Sequence, residues 1–303
     1  MSVGKKKLLV SFSGGETSAY MAQWLWKHKQ NEYDMVFVFA NTGQENEETL
    51  NFVEKCSDYF GFPVVWVEAV VFHGKRKSSG HKVVNYESAS RIGEPFEEVI
   101  KKYGIPNQQF PHCTRETKLN PITSYMKSVG WHEYYTAIGI RSDEADRISA
   151  KAKENKLIYP LISDQPMTKP KINFWWNQQP FRLNLKGYQG NCKWCWKKGD
   201  PKLFKLAQED ESLFDFPLRM EKEYGNYIPE SRIKLMNERG EKPELPIVFF
   251  RQNRSAKEII KQSESFRGRV SDDAQHYEMQ ISLFEATDLI GGESCEIWAE
   301  CGS

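Results

Sequence analysis

The feature that most constrains this 303-residue sequence is a glycine loop directly after a short apolar run near its start. Residues 7–12 are rich in β-formers, the letters SGGETS follow at Ser13–Ser18, and a helical pattern begins at Thr17. Gly14 and Gly15 can adopt positive φ, so that backbone N–H groups converge. The following helix directs its positive end at the same point. The loop therefore predicts an anion site, the alternative being a plain strand–turn–helix with a Ser/Thr cap.

The loop is neither a Walker loop nor the dinucleotide fingerprint, because the GK[ST] ending and the GxGxxG spacing are both missing. Around it, strand and helix patterns alternate, which favours an α/β fold with a doubly wound parallel sheet. Ligands in such sheets bind at the carboxyl ends of the strands. The predicted strands are 7–12, 35–40, 64–71 and 134–140, and the predicted helices are 17–28, 47–60 and 114–128.

The second half of the chain differs in character from the first. Residues 159–196 are rich in Pro, Asn, Gln and Trp, and residues 203–224 are helical in pattern. We therefore predict a nucleotide-binding α/β domain at 1–165 and a region of cysteine- and tryptophan-bearing loop and helix at 166–235. A mainly helical C-terminal extension, partly mobile, is expected at 236–303.

Composition favours a cytoplasmic protein. Hydrophobic residues are 39% and charged residues 27%, and no apolar run approaches the roughly 20 residues of a membrane span. The lysines near the N-terminus precede only about six apolar residues, which indicates a strand and not a targeting segment. We expect no membrane association.

A net charge of +1 gives no global argument for nucleic-acid binding. Residues 182–205 nevertheless carry seven Lys/Arg against one acid, interleaved with Tyr188, Trp194 and Trp196. This pattern suits a single-stranded or looped nucleic acid, although a solvated surface is the plainer interpretation.

Six cysteines in a chain of this length, without a signal peptide, make a disulfide framework unexpected. Cys192 and Cys195 form a CxxC, a spacing that suits a metal, a cluster or a redox dithiol. Cys113 lies at the start of a predicted helix, where a thiolate is stabilised. Zinc bound by these three cysteines and His112, and unliganded thiols, both remain open.

Together the motifs resemble the phosphoadenosine phosphosulfate reductase family of the adenine nucleotide alpha-hydrolase (PP-loop) superfamily. The Gly93–Glu97 segment is similar to the phage and mobile-element branch. The resemblance covers roughly residues 5–200 and rests on motifs in the family's order: 13–18, 39–43, 47–49, 87–91, 113–118, 139–144, 159–161 and 190–195.

The resemblance implies the residues of a nucleotide site. The phosphates would be held by Ser13, Gly14, Gly15, Thr17 and Ser18, and the adenosine end lined by Phe39, Asn41 and Thr42. Arg141, joined by Arg147, would hold the far anionic group. Asn41 stands where the family usually has Asp. Glu16 is a second departure, and we expect it to be turned outward and not to recruit Mg²⁺.

The same resemblance implies a 4Fe–4S cluster on Cys113, Cys192 and Cys195, with His112 standing where the family has a further cysteine. Zinc is the alternative, and Cys295 is a candidate fourth ligand. Cys301 lies in a C-terminal ECG string like that of the family's nucleophilic cysteine, which makes Cys301 and Arg141 the candidate catalytic residues.

The expected function is nucleotide-dependent sulfur chemistry: an enzyme that binds ATP with Mg²⁺, releases pyrophosphate and transfers sulfur. One alternative is reduction of adenylyl sulfate or its 3′-phosphorylated form, with Cys301 as nucleophile. The other is a non-catalytic accessory subunit that binds a nucleotide. Candidate partners beyond the adenine nucleotide are a nucleic acid and a second copy of the chain.

Overall fold

A computed structural model describes residues 4–74, 77–242 and 244–272. Its centre is a six-stranded sheet in the order β4-β3-β2-β1-β5-β6. Every neighbouring pair is parallel except β3 with β4. The strands are β1 (Lys6–Ser11), β2 (Tyr33–Asn41), β3 (Val64–Val70), β4 (Gly80–Val84), β5 (Tyr135–Ala137) and β6 (Leu157–Ile158).

The strand order places the ligand crevice. The chain builds outward from β1 through β2 to β3, and then returns to pair β5 with the other side of β1. Leu8 is accordingly aligned with Met35 on one side and with Tyr135 on the other. In an open parallel sheet, the point where the strand order reverses leaves a crevice beyond the carboxyl ends. Here that crevice lies between the ends of β1 and β5.

Helices cover the sheet and supply most of the regular structure in the second half of the described chain. A π-helix at Arg115–Leu119 leads into the α-helix at Asn120–Ser128, and short 3₁₀ segments lie at 142–147, 211–214 and 251–253. The α-helices are α1 (Glu16–His28), α2 (Glu47–Phe60), α3 (Glu94–Tyr103), α4 (Asn120–Ser128), α5 (Pro160–Ser163), α6 (Lys169–Asn177), α7 (Asp200–Glu209), α8 (Asp215–Tyr224), α9 (Glu230–Glu238) and α10 (Ala256–Ser265).

Two large apolar cores organise the packing. The first lies against the sheet and includes Met167, Ile172 and Trp176, so α6 belongs with the α/β layer although it follows residue 165. The second gathers residues from the middle and the end of the chain around the fully buried Trp194. Its members include Phe96, Ile100, Tyr188, Trp196, Leu203, Phe214, Phe216, Phe249 and Ile259.

The predicted α/β class with a doubly wound, mostly parallel sheet and a helical C-terminal part is confirmed. The helical pattern predicted over 203–224 is confirmed, and the structure divides it: α7 ends at Glu209, and the Asp210 side chain accepts the Ser212 N–H at the start of the 3₁₀ segment that leads into α8. The strand predicted over 134–140 is shorter, and β4 and β6 were not predicted. Within the described ranges, no helix has both the length and the apolarity needed to cross a membrane.

Candidate nucleotide and cysteine site

The glycine loop joins β1 to α1 at the crevice. Phe12 N–H still bonds the Val38 carbonyl at 3.0 Å, and the loop then turns away through Gly14 at φ +83°. The Ser18 hydroxyl lies 2.9 Å from the Ser13 hydroxyl, and donates to the Gly15 carbonyl at 3.0 Å. These bonds hold the loop in place before any ligand binds, with the N-terminus of α1 directed at it.

Two glycines are required by close packing at this point. A Cβ on Gly14 would lie 2.6 Å from the Thr49 side chain and 3.1 Å from Phe39. A Cβ on Gly139, after β5, would lie 3.1 Å from the Ser18 Cα. The turn after β1 therefore packs against α2 on one side and against the turn after β5 on the other.

Arg141 follows β5 and reaches the glycine loop, where its Nη1 lies 3.4 Å from the Thr17 hydroxyl. Its guanidinium also pairs with Asp143 at 3.0 Å and with Glu144 at 3.2 Å. Arg147 pairs with Glu144 at 2.8 Å. The structure thus brings Arg141 to Thr17, one of the five loop residues predicted to hold phosphates, and Arg147 is joined to Arg141 through Glu144.

The predicted adenosine end lies at the carboxyl end of β2. Phe39 packs against Trp66 with ring centroids 4.9 Å apart. The buried Asn41 amide donates to the Glu68 carboxylate at 2.6 Å and to the Ser90 carbonyl at 2.9 Å. Glu68 on β3 thus places a carboxylate against Asn41, and this carboxylate pairs with Lys82 at 2.8 Å.

Thr42 begins a tight turn organised by the fully buried carboxylate of Glu45. That carboxylate accepts the Thr42 N–H at 2.8 Å and the Thr42 hydroxyl at 2.9 Å. Lys118, from the π-helix, lies 3.7 Å from it. Single π-type turns often occur at functional sites, and this one carries a cation to the edge of the candidate site.

The expectation that Glu16 is turned outward is wrong. Its side chain is only 7% exposed, and its two oxygens accept from Arg182 Nε and Nη2 at 2.9 and 3.0 Å. The Trp176 indole donates to its backbone carbonyl at 3.0 Å. The paired guanidinium balances the acid beside the anion loop.

The loop that carries the CxxC is docked onto this site. Asn191 donates to the Ser13 carbonyl at 2.8 Å, which ties the residue before Cys192 to the glycine loop. Asn46 donates to the Gly190 carbonyl at 2.9 Å, and Lys193 N–H bonds the Gln44 carbonyl at 3.0 Å. The Trp194 indole donates to the Gln44 side chain at 2.5 Å. The cysteine loop therefore lies against the ends of both β1 and β2.

The three candidate ligand cysteines interact with one another. A hydrogen bond with the Cys195 thiol, together with burial, raises the pKa of Cys192 well above its usual value. Burial likewise raises the pKa of Cys113, with a smaller contribution from Cys195 and an opposing one from Lys197. We expected the start of the helix to stabilise the Cys113 thiolate. That expectation is wrong, because burial has the larger effect and raises the pKa of the thiol.

Polar groups lie close to these thiols. Lys197 and Lys198 are buried, and the Lys198 ammonium donates to the carbonyls of Cys192 and Lys193 at 2.6 and 3.1 Å. A hydrogen bond with the buried Trp196 side chain lowers the pKa of Cys113, against the larger effect of burial. Within the described ranges, however, no three His, Cys, Asp or Glu side chains are arranged closely enough to hold a metal ion.

The ring contact of His112 is with a residue outside the CxxC. Its ring packs against Tyr103 at 5.6 Å. Burial, together with the charges of Arg232 and Arg115, lowers the pKa of His112 to about 4, so the ring is neutral near pH 7. Cys295 and Cys301 fall outside the described residues, and their predicted roles remain predictions.

The basic stretch at 182–205 does not form the exposed basic and aromatic strip that its letters suggested. Tyr188, Trp194 and Trp196 are buried in the second core. Lys186 and Lys205 both pair with Glu209, at 2.7 and 3.3 Å. Together with Arg182, three of the seven basic side chains thus pair with two carboxylates, Glu16 and Glu209.

Three residues with clear roles in the geometry were given no role from the sequence: Asn191, Glu45 and Glu144. Asn191 and Glu144 lie inside the motifs at 190–195 and 139–144, which were the available signals for them. Glu45 follows Thr42 by three positions, a spacing that a tight turn brings together.

Fold and site together define an α/β protein of the adenine nucleotide alpha-hydrolase type. Comparison with known proteins agrees: a profile of the phosphoadenosine phosphosulfate reductase domain matches residues 7–157. The chain is 34% identical over 210 residues to the uncharacterized nin region protein ORF290 of Escherichia phage lambda, covering 68% of this chain and 71% of the relative. The chain belongs to the phosphoadenosine phosphosulfate reductase domain family, in a branch with a phage relative.

Two uncharacterized proteins of Methanocaldococcus jannaschii are more distant. MJ0066 is 26% identical over 155 residues, which are 51% of this chain and 27% of the relative. MJ0973 is 27% identical over 160 residues, which are 50% of this chain and 32% of the relative. The similarity to these two proteins therefore spans a part of each.

Proposed function

We propose that the chain is an enzyme that activates an acceptor with ATP and Mg²⁺ and then replaces the activated oxygen with sulfur. The observation that carries the proposal is the 2.8 Å hydrogen bond between Asn191 and the Ser13 carbonyl. This bond holds the CxxC beside the glycine loop at Ser13–Ser18. A metal with a purely structural role would not have to lie next to that loop. Family membership supports chemistry on an adenine nucleotide.

The chain's own residues would position the nucleotide. Backbone N–H groups at Gly14 and Gly15, the start of α1 and the Ser13 and Thr17 hydroxyls suit phosphate oxygens. Arg141 would neutralise charge on the phosphate chain, and Mg²⁺ would share that charge. An acceptor oxygen attacks the α-phosphorus, the bond from that phosphorus to the β-bridging oxygen breaks, and pyrophosphate leaves. The proton of the acceptor passes to solvent.

Sulfur then enters as sulfide: its sulfur bonds to the acceptor carbon, the bond from that carbon to the adenylylated oxygen breaks, and AMP leaves. A 4Fe–4S cluster on Cys113, Cys192 and Cys195 would supply an iron able to bind that sulfur. The electrostatic contact among the three thiols and the buried Lys197 near Cys113 support this proposal. The ligand side chains would have to move together to hold the cluster, because no three of those described are arranged closely enough. Cys56, Cys113, Cys192 and Cys195 are thiols and not disulfides, so all three proposed ligands are in the reduced form that a cluster requires.

Anaerobically purified protein tests the activity directly. ATP and Mg²⁺ should yield pyrophosphate, and Arg141→Gln should abolish most of it. Arg269→Gln, which changes an exposed arginine, should retain full activity. Sulfite released from adenylyl sulfate or its 3′-phosphorylated form, with no pyrophosphate from ATP, would instead support the reductase. Nucleotide binding without either product would support the accessory subunit.

The cluster has a separate test. The anaerobic protein should be brown, absorb near ~400 nm, and contain iron and acid-labile sulfide. The colour should be lost in Cys192→Ala and retained in Cys56→Ala, which removes a thiol buried in the sheet core. A colourless protein with one zinc per chain would reject the cluster.

A further inference from the structure

Glu144 lies between two guanidinium groups, with one carboxylate oxygen on each. Its Oε2 is 3.2 Å from Arg141 Nη1, and its Oε1 is 2.8 Å from Arg147 Nη1. All three side chains are largely buried, between 13% and 18% exposed. Two oxygens bridging two arginines is the arrangement that a phosphate or sulfate group adopts in such a pair.

The local backbone explains how the three residues meet. Arg141, Glu144 and Arg147 are spaced by three, and the 3₁₀ segment Ser142–Arg147 brings residues three apart onto one face. Glu144 departs from helical geometry inside this segment, at φ −120° and ψ 27°. The carboxylate is thus held by a distinct backbone conformation between its two partners.

The neighbouring acid, Asp143, has a different role. It pairs with Arg141 at 3.0 Å and accepts the Lys169 N–H at 3.2 Å, at the start of α6. Asp143 is therefore anchored to the backbone of a helix. The Glu144 carboxylate instead bonds two side chains that can exchange it for another anion.

The bridged pair is adjacent to the phosphate loop, since Arg141 Nη1 also lies 3.4 Å from the Thr17 hydroxyl. An anionic group reaching both arginines from that loop would meet the position that Glu144 occupies. The charges of Arg141, Arg147, Asp143 and Glu144 sum to zero, so the arginines are already neutralised.

We propose that Glu144 is a specificity-determining residue: a resident anion that a ligand must displace from Arg141 and Arg147. A polyanionic group, such as the pyrophosphate part of a nucleoside triphosphate, binds the two arginines with a more favourable free energy than the single carboxylate that it displaces. A nucleoside has no anionic group to bind these arginines, so Glu144 and its two partners discriminate between ligands by charge. This inference rests on the proposed nucleotide site and adds a selection rule to it.

Isothermal titration with inorganic pyrophosphate, ATP and adenosine tests it. Glu144→Gln removes the competing charge at nearly constant shape, and it should tighten pyrophosphate and ATP binding about 5- to 50-fold, within the usual range of coupling between sites. Adenosine affinity should not change. Glu154→Gln, the same chemical change at an exposed position, should leave all three affinities within about twofold of the original protein.

A shorter carboxylate gives a second variant in case Glu144→Gln folds poorly, as judged by circular dichroism. Glu144→Asp should bind pyrophosphate with intermediate affinity, because it reaches the two arginines less well. Unchanged or weaker pyrophosphate binding in a folded variant, or no binding in any form, would overturn the proposal. Tighter pyrophosphate binding without any ATP binding would instead reject the nucleotide assignment and leave the role of Glu144 intact.

Discussion

Asn191 donates a hydrogen bond to the carbonyl of Ser13 at 2.8 Å, and this bond joins the cysteine loop to the phosphate loop. Its Oδ1 also lies 3.7 Å from where a Cβ on Gly15 would stand. A change in one loop is therefore transmitted to the other through a single side chain.

Asn191→Ala should loosen the cysteine loop. Loss of one hydrogen bond costs about 1 kcal/mol, so alkylation of Cys192 should be roughly fivefold faster by mass spectrometry. Asn184→Ala, at an exposed position of the same segment, should not change the rate. Equal alkylation rates in the original protein and Asn191→Ala would show that the bond does not restrain the loop.

Gly14→Ala should damage the phosphate loop more than a simple loss of glycine. Its φ of +83° and a 2.6 Å contact with Thr49 together predict a loss of about 2–4 kcal/mol in the free energy of unfolding and a loss of ATP binding. Gly61→Ala is the matched control, because Gly61 has φ +73° but nothing within 4 Å. It should cost about 1–2 kcal/mol and leave ATP affinity unchanged. Urea denaturation and titration measure both, and equal losses would refute the steric argument.

Arg182→Met should leave the Glu16 carboxylate unpaired in a nearly buried position. Breaking such a pair costs about 2–4 kcal/mol in the free energy of unfolding. Adding Glu16→Gln to that variant removes the stranded charge and should recover at least half of the loss. Urea denaturation of the two single variants and the double variant forms the cycle. Additive losses would mean that the 2.9 Å ion pair contributes no coupling.

The raised pKa of the buried Glu221 carboxyl predicts that the free energy of unfolding depends on pH. Burial raises the pKa of Glu221 from 4.5 to about 7, although its carboxylate accepts N–H groups from Phe249 at 3.1 Å and Ala256 at 2.8 Å. Between these two pH values the folded chain holds a proton that the unfolded chain releases, so stability falls as pH rises. The loss is on the order of 3 kcal/mol and is complete above about pH 7.

Urea denaturation from pH 4 to pH 8 measures this contribution. Glu221→Gln should lack that part of the slope, whereas Glu223→Gln, whose side chain is 45% exposed, should keep it. The same slope in all three proteins would contradict the assignment to Glu221.

The sequence predicted local elements well where periodicity was strong. The α2 prediction matches the observed Glu47–Phe60, because its apolar residues recur at helical spacing and Gly61 ends it with φ +73°. β4 was not predicted, because the four residues that follow the buried Gly80 are half-buried or exposed and do not alternate. A strand whose burial does not alternate carries little period-2 signal.

The site was predictable in its parts and not in its assembly. The SGGETS letters, Arg141 and the CxxC were all visible along the chain. The partner of Glu16 lies 166 residues further on, at Arg182, and no spacing rule connects the two. Glu144 looked like one acid among several in an acidic and basic run. Its place between two arginines depends on a short 3₁₀ segment that the letters do not reveal.

The contacts of the cysteine loop also determine when, during synthesis of the chain, the two parts of the site can pack together. Its contacts with Ser13 and Gln44 join residues 178 and 150 positions apart. Trp194, beside the CxxC, packs on Phe249 at 4.8 Å. Translation delivers the phosphate loop first, and the residues that seat the cysteines emerge from the ribosome only after most of the chain has been made. A nascent chain stalled before Phe249 would therefore expose the crevice beyond β1 and β5 and the CxxC thiols, without the packing of Trp194 on Phe249.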